Sequence, residues 1–380
     1  MPDDLSILKQ PAFQKALDEF EDLMTQSSRA FLIGAGCSKC AGLPLTAELT
    51  TKSLGSPILD SSTKDILTVV QGQFAGSPDA NIEDFLSEII DVLAIADRRT
   101  TRGSSSKEVS FSGKVYTAKQ LRNASEQIKK AIADVIDQPV AIETHWDFVK
   151  AVHHPLRPGK AVPSKPVDYL VLNYDTLIED ALALEKLSYA DGMGGGITAW
   201  WNFQTFDHDG LAARVLKLHG SINWREFPDD PLPRRVSSKL ALPGGSNSTV
   251  LIWPASTKYR ETQRDPYAQL ASITRKILAP QSGSQTVLTI CGYGFGDSHI
   301  NLEIDRALRE SAGRLTMIAF TFDEKPQGQL KTWYEDAGVR DQVRIYAKKG
   351  FFHSSTAEIS TGELPWWRFE NITRLLGGER

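Results

Sequence analysis

The short apolar run Ala30-Phe-Leu-Ile33 leads straight into a glycine-rich turn, Gly34-Ala-Gly-Cys-Ser38, with a helix expected after Pro44. A buried strand that ends in glycines at the mouth of a helix is the opening unit of a nucleotide-binding α/β fold. Gly34 and Gly36 allow the main chain to approach a ligand closely, and N–H groups at a helix N-terminus favour a phosphate. The usual fingerprints do not fit. The third glycine of the dinucleotide motif would fall at Lys39, and the next glycine is Gly42. No Gly-Lys-Ser/Thr follows at P-loop distance either. A tight βα turn without a ligand is the plainer reading of the same residues.

A chain of 380 residues has room for two or three units at ~150 residues each, or for one large α/β unit with an insertion. Ala12, Phe13, Ala16, Leu17, Phe20, Leu23 and Met24 recur at helical spacing. Asn81 is placed to cap a helix with Ile82, Phe85, Leu86, Ile89, Ile90 and Leu93 on one face. Arg98 to Gly113 reads as a mobile linker and Ala118 to Asp137 as a further helix. The α/β pattern resumes at Tyr169-Leu-Val-Leu-Asn173, a strand suited to burial on both faces. Further strands are expected at 214–218, 249–253, 285–291, 315–321 and 343–347, with helices at 176 onward, 266–278, 300–310 and 327–336. Gly192–Gly196 and Gly244–Asn247 read as flexible loops. The expected fold is α/β, a Rossmann-like doubly wound parallel sheet with an inserted helical subdomain. Its parts are an N-terminal helix (1–28), the sheet domain (29–56 and 151–350), the insertion (57–150) and a C-terminal helical tail (351–380).

Lys plus Arg number 43 and Asp plus Glu 47, a net charge of −4. That balance argues against nucleic-acid binding through overall charge. The three cysteines, Cys37, Cys40 and Cys291, argue against a disulfide framework and exclude any four-cysteine zinc site. Cys37 and Cys40 form a C-x-x-C, read either as a redox pair or as small side chains packed beneath the turn. The acidic N-terminus carries no signal-peptide pattern, and no apolar run approaches the ~20 residues that span a bilayer. A cytoplasmic location without membrane attachment is expected.

Ligands in open parallel sheets gather at the carboxyl ends of strands. Three such ends carry unusual polar residues: Leu172-Asn173-Tyr174-Asp175, Lys217-Leu218-His219-Gly220-Ser221, and Cys291-Gly292-Tyr293-Gly294-Phe295-Gly296-Asp297-Ser298-His299. Each has a bland alternative, since a lone histidine is often structural and Asp175 could simply cap the next helix. His145, His153, His154, His208 and His353 lack a partner set, and no metal site is expected.

Taken in order, Gly34-Ala-Gly-Cys-Ser38 with Ala41-Gly-Leu-Pro44, Asn81-Ile-Glu-Asp84, Asn173-Tyr-Asp-Thr-Leu-Ile-Glu179, Leu218-His-Gly-Ser221 and Gly292 to Asn301 resemble the motifs of the sirtuin superfamily, closest to its prokaryotic antiviral-defence branch. The chain departs from protein-deacylating sirtuins in two ways. No cysteine lies between Cys40 and Cys291, so their zinc ribbon is missing, and Pro44 is followed by Leu45-Thr-Ala-Glu48 where they have Asp-Phe-Arg. The resemblance therefore implies an NAD hydrolase without zinc, acting on NAD as substrate. A zinc-free NAD-dependent deacylase and a non-catalytic NAD or ADP-ribose sensor are the alternatives.

On that resemblance, Gly34, Ala35, Gly36 and Ser38 hold the pyrophosphate, with Pro44 and Thr46 beside them. Asn173 fixes a water or ribose hydroxyl, Asp175 holds the nicotinamide amide or supplies negative potential, and His219 is the general base. Gly292, Tyr293, Gly294, Phe295, Asp297, His299 and Asn301 close over the adenosine side. The resemblance also implies a separate sensor, a hexameric HerA-type ATPase first and a short Argonaute second, so that nucleic acid is met only through the partner. A homo-oligomer is expected. Trp200-Trp201 and Trp366-Trp367 suit an interface and a core equally well.

Overall fold

The computed structural model describes residues 3–26, 28–77, 79–104, 106–154, 165–227, 230–236, 249–252, 265–280 and 283–379. In chain order the first part comprises α1 (Pro11–Met24), β1 (Ser28–Ile33), α2 (Ala35–Ser38), α3 (Thr46–Leu54), α4 (Ser61–Gln73), α5 (Ile82–Thr101), β2 (Val109–Phe111), β3 (Lys114–Tyr116), α6 (Ala118–Ile136) and α7 (Glu143–His153). The middle part runs β4 (Val167–Val171), α8 (Leu177–Leu184), β5 (Tyr189–Ala190), β6 (Met193–Gly195), β7 (Ala199–Trp201), β8 (Ala213–Lys217), β9 (Gly220–Phe227), β10 (Asp230–Arg235) and β11 (Thr249–Ile252). Then come α9 (Tyr267–Leu278), β12 (Thr286–Cys291), α10 (Ser298–Glu310), β13 (Leu315–Thr321), α11 (Gly328–Glu335), β14 (Val343–Ala347), β15 (Gly350–His353), β16 (Thr356–Ile359) and α12 (Phe369–Leu376).

The main sheet has the order β16-β15-β14-β13-β12-β1-β4-β8-β5. It is parallel from β14 to β5, with β15 and β16 added antiparallel at one edge. Its central strands are mostly apolar because both of their faces are covered. Phe31, Ile33, Tyr169, Val171 and Val215 point to the side filled by α1, α7, α8 and α12. Ala30, Leu32, Leu170, Leu216 and Leu288 point to the side filled by α9, α10 and α11. The fold is therefore a Rossmann-like, mixed α/β architecture. The order β8-β4-β1-β12-β13-β14 repeats the doubly wound 3-2-1-4-5-6 pattern, so the crevice falls where the winding reverses, between the carboxyl ends of β1 and β12.

Helices α3 to α6 form their own apolar cluster, with Leu49, Ile66, Phe85, Leu86, Leu121, Ile128 and Ile132 buried together. Asn81 starts α5 through a capping box. Its Oδ1 accepts from the Glu83 N–H at 2.9 Å, and Asp84 accepts from the Asn81 N–H at 2.9 Å. Tyr174 and Leu177 join this cluster from the main sheet's side. The helical layer thus packs directly over the strand end that carries Asn173 and Asp175.

Several local expectations are corrected. The stretch read as a linker contains the last turn of α5 and the first strand of the β2–β3 hairpin. Gly192–Gly196 is not a free loop, because Met193–Gly195 pairs with Ala199–Trp201 in a second sheet of order β11-β9-β10-β7-β6. The residues after 350 are not only helical, since β15 and β16 precede α12. Gly244–Asn247 lies outside the described residues. The tryptophan pairs split one by one: Trp201 and Trp366 are buried, while Trp200 is exposed. Strand alternation explains the first pair. Trp366 packs edge-on against Phe13 and Tyr346, which seats the terminal segment on its own chain.

Candidate active site

Two turns meet at the winding reversal. The Gly34 N–H donates to Cys291 O at 2.9 Å and the Gly36 N–H to Gly292 O at 2.8 Å. A Cβ at Gly34 would lie 2.5 Å from Gly292 O, and one at Gly36 would lie 2.8 Å from Gly292 Cα. Gly292 has φ +63°, and a Cβ there would meet the Cys37 nitrogen at 2.4 Å. The missing side chains are thus required by the approach of one turn to the other, whereas the sequence reading assigned them to approach of a ligand. The N–H of Gly36 is committed to the neighbouring turn.

Three polar side chains link the first turn to the end of β4. Asn173 Nδ2 donates to Gly34 O at 3.0 Å and to Ser38 Oγ at 2.7 Å. Ser38 Oγ in turn donates to Asp175 Oδ2 at 2.7 Å. Asp175 Oδ1 accepts from the Leu177 N–H, the first of α8, at 3.2 Å, although the N-cap position itself is Thr176. Both amide hydrogens of Asn173 are used, which leaves Oδ1 as its acceptor toward a hydroxyl or a water. Asn173, Asp175 and Ser38 are all buried.

His219 stands at the end of β8 and is buried, with Nε2 3.1 Å from Asp297 Oδ2. The other oxygen of Asp297 caps α10, accepting from the His299 N–H at 3.1 Å. The carboxylate, held by the helix N-terminus on one oxygen and facing the imidazole with the other, fixes the orientation of the ring.

These residues line one cleft of about 420 Å³, together with Gly34, Ala35, Pro44, Thr46, Gly292, Tyr293, Gly294 and Gly296. Its charged lining, among the described residues, consists of Asp79, Glu83, Asp84, Asp175 and Asp297, with neither Lys nor Arg. Gly36, Phe295, His299 and Asn301, expected at the nucleotide, do not line it. Asn301 braces the turn instead, donating to Phe295 O at 2.7 Å and accepting from the Tyr293 hydroxyl at 3.1 Å. Phe295 packs against Tyr293 and Trp333. His299 faces a second, largely apolar cavity of about 590 Å³ between α9, α10 and the sheet. His219 lines both cavities.

The sequence reading missed Glu83 as a site residue, although its motif was noted. Glu83 Oε1 accepts from the Tyr174 hydroxyl at 2.7 Å and so joins the helical layer to the Asn173–Asp175 loop. It also missed Lys217, which is fully buried behind Asp175.

Cys37 and Cys291 are buried free thiols, pushed well up by burial, and Cys40 is pushed up to about 12 by the same cause. A redox nucleophile needs the opposite shift. His145 is buried against Phe369, and burial lowers its ring to about 4. Among the described residues no group of three or more His, Cys, Asp or Glu is arranged to hold a metal, and no helix is long and apolar enough to cross a membrane.

Residues 168–341 match a family model described as SIR2-like domain, which supports a sirtuin-like family and fits NAD-using enzymes. The matched region holds Asn173, Asp175, His219 and the Gly292–Asn301 turn, but not the Gly34 turn. No curated protein matches the chain.

Proposed function

We propose that the chain is an NAD glycohydrolase, cleaving NAD to nicotinamide and ADP-ribose, and that it serves as the NAD-depleting effector of an antiphage system. The observation that carries the reading is the convergence of Asn173, Asp175 and His219 with the Gly34–Ser38 turn on one cleft whose charged lining is carboxylate.

The reaction breaks the bond between C1′ of the ribose and a cationic pyridinium, which leaves as neutral nicotinamide. Positive charge moves onto the sugar, as in glycoside hydrolysis. Asp175, fixed by Ser38 and the Leu177 N–H, supplies oriented negative potential beside that charge. Asn173 Oδ1 orients a ribose hydroxyl or the attacking water. His219, held by Asp297, takes the proton from the water as its oxygen bonds to C1′. The pyrophosphate has no cationic side chain among the described lining residues. The main-chain N–H groups left at the turn once those of Gly34, Gly36 and Cys37 are committed, and those at the start of α3, where Pro44 and Thr46 line the cleft, receive it.

A depleting enzyme must be silent until triggered. Regulation comes from a partner, a hexameric HerA-type ATPase before a short Argonaute, and from self-association of this chain.

One observation favours a second reading. The apolar cavity that meets His219 from the other side would suit an acyl group, as an NAD-dependent deacylase requires. Chromatography of NAD incubated with the protein separates the two. Equimolar nicotinamide and ADP-ribose without any acyl-peptide supports the hydrolase, and nicotinamide release only when acyl-peptide is present supports the deacylase.

A further inference from the structure

Lys217 lies at the end of β8, two residues before His219, and is fully buried. Its Nζ donates to the main-chain carbonyl of Asp175 and lies 3.6 Å from Glu179 Oε1 on α8. The neighbouring carbonyl, Tyr174 O, accepts from the Ile222 N–H at 3.0 Å and from Ser221 Oγ at 3.3 Å. Both carbonyls of the loop between Asn173 and Thr176 are thus held by the chain segment that carries His219.

We propose that Lys217 is a positioning residue for NAD cleavage: its buried ammonium, balanced by Glu179, fixes the Asp175 carbonyl and so sets Asp175 and Asn173 relative to His219. The inference rests on the hydrolase reading above and adds a residue that touches neither substrate nor water.

A stabilising role alone does not account for the pair. Buried ion pairs are weak contributors to stability, because desolvation offsets their attraction. Here burial pushes the Glu179 carboxyl up to about 7 against the opposing pull of Lys217, and Glu179 Oε2 has no hydrogen-bond partner among the described residues. Glu179 also faces Asp191 at the end of β5, itself paired with Arg235, and these acids add to the burden on its charge. A methionine of similar length in place of Lys217 would fill the same volume at lower desolvation cost. What it would lose is the donor to the Asp175 carbonyl.

The test compares wild type, Glu179→Gln and the neutral double variant Lys217→Met/Glu179→Gln. Melting temperature, ADP-ribose affinity by calorimetry, and kcat and KM for NAD are measured on each. The double variant is expected to melt within about 5 °C of wild type and to bind ADP-ribose within threefold. Its kcat is expected to fall at least tenfold with little change in KM, a loss of at least ~1.4 kcal/mol of transition-state stabilisation. Glu179→Gln, which keeps the amine on the carbonyl, is expected to lose less than threefold. A folded double variant with kcat within twofold of wild type overturns the positioning role while leaving the hydrolase reading intact. A wild-type protein that binds ADP-ribose yet cleaves no NAD with its activator overturns the hydrolase reading and the proposal with it.

Discussion

His219 and Asp297 come from strand ends on opposite sides of β1 and β4, yet their side chains lie 3.1 Å apart in a buried contact. Asp297 serves the ring with one oxygen and the α10 N-terminus with the other. Asparagine also caps helices well, so Asp297→Asn separates the two roles. The variant is expected to keep the wild-type melting temperature within a few degrees. Its kcat for NAD should fall by about 10²-fold, the lower range for loss of effective general base action. An unchanged kcat in steady-state assays would remove Asp297 from the mechanism.

The glycines of the two turns yield a stability expectation. A Cβ at residue 36 must displace the Gly292 main chain, which it would meet at 2.8 Å. Gly36→Ala is expected to destabilise by roughly 1–3 kcal/mol, the range for forced overpacking, and to weaken ADP-ribose binding. Urea unfolding monitored by circular dichroism, together with calorimetry, checks both. A variant as stable as wild type would mean that the turns have room to separate.

Charge selection follows from the cleft lining. Asp79, Glu83 and Asp84 face any nucleotide bound there. At an effective dielectric of ~20, a carboxylate ~8 Å from a like charge costs roughly 2 kcal/mol. NADP carries a further phosphate, so its kcat/KM is expected at least tenfold below that of NAD at low ionic strength. The gap should narrow in salt and in Asp79→Asn/Glu83→Gln. Equal use of both substrates at low salt would contradict this.

Acid sensitivity has a defined sign. Burial lowers His145 and His153 to about 4 in the folded chain, below the ordinary histidine value of 6.5. The unfolded chain therefore binds protons first as pH falls. Stability due to these neutral rings is fully present above pH ~6.5 and is lost as pH drops toward 4, by roughly 3 kcal/mol per histidine. Both ring nitrogens of His145 lack a hydrogen-bond partner among the described residues, so His145→Leu is expected to flatten the slope without loss at neutral pH. Melting curves between pH 4 and 8 test it, and an unchanged acid slope would refute the assignment.

Local pattern carried much of the fold into view. The strands at 315–321 and 343–347 were legible because each is a compact apolar run buried on both faces, and Asn81 because its capping chemistry is local. The second sheet was not legible. Its β6 and β7 are three residues each, and β9 pairs with β10 and β11 through half-buried polar positions such as Arg225 and Glu226. Such strands are fixed by distant partners and not by their own periodicity. The same limit applies at the site. Asn173, Asp175 and His219 stood out as polar residues at strand ends, whereas Lys217, which opens the second of those strand ends, carried no role of its own. Its burial behind Asp175 depends on how β8 and α8 pack.

The central claim is that Asn173 and His219 carry out NAD cleavage in this cleft. The most direct measurement is a chromatographic time course of NAD with wild type, Asn173→Ala and His219→Ala, each alone and with a HerA-type ATPase, the partner proposed above. Wild type is expected to convert NAD to equimolar nicotinamide and ADP-ribose, while both variants remain folded and release none above background. Full nicotinamide release by either variant, or intact NAD with wild type under both conditions, would contradict the account.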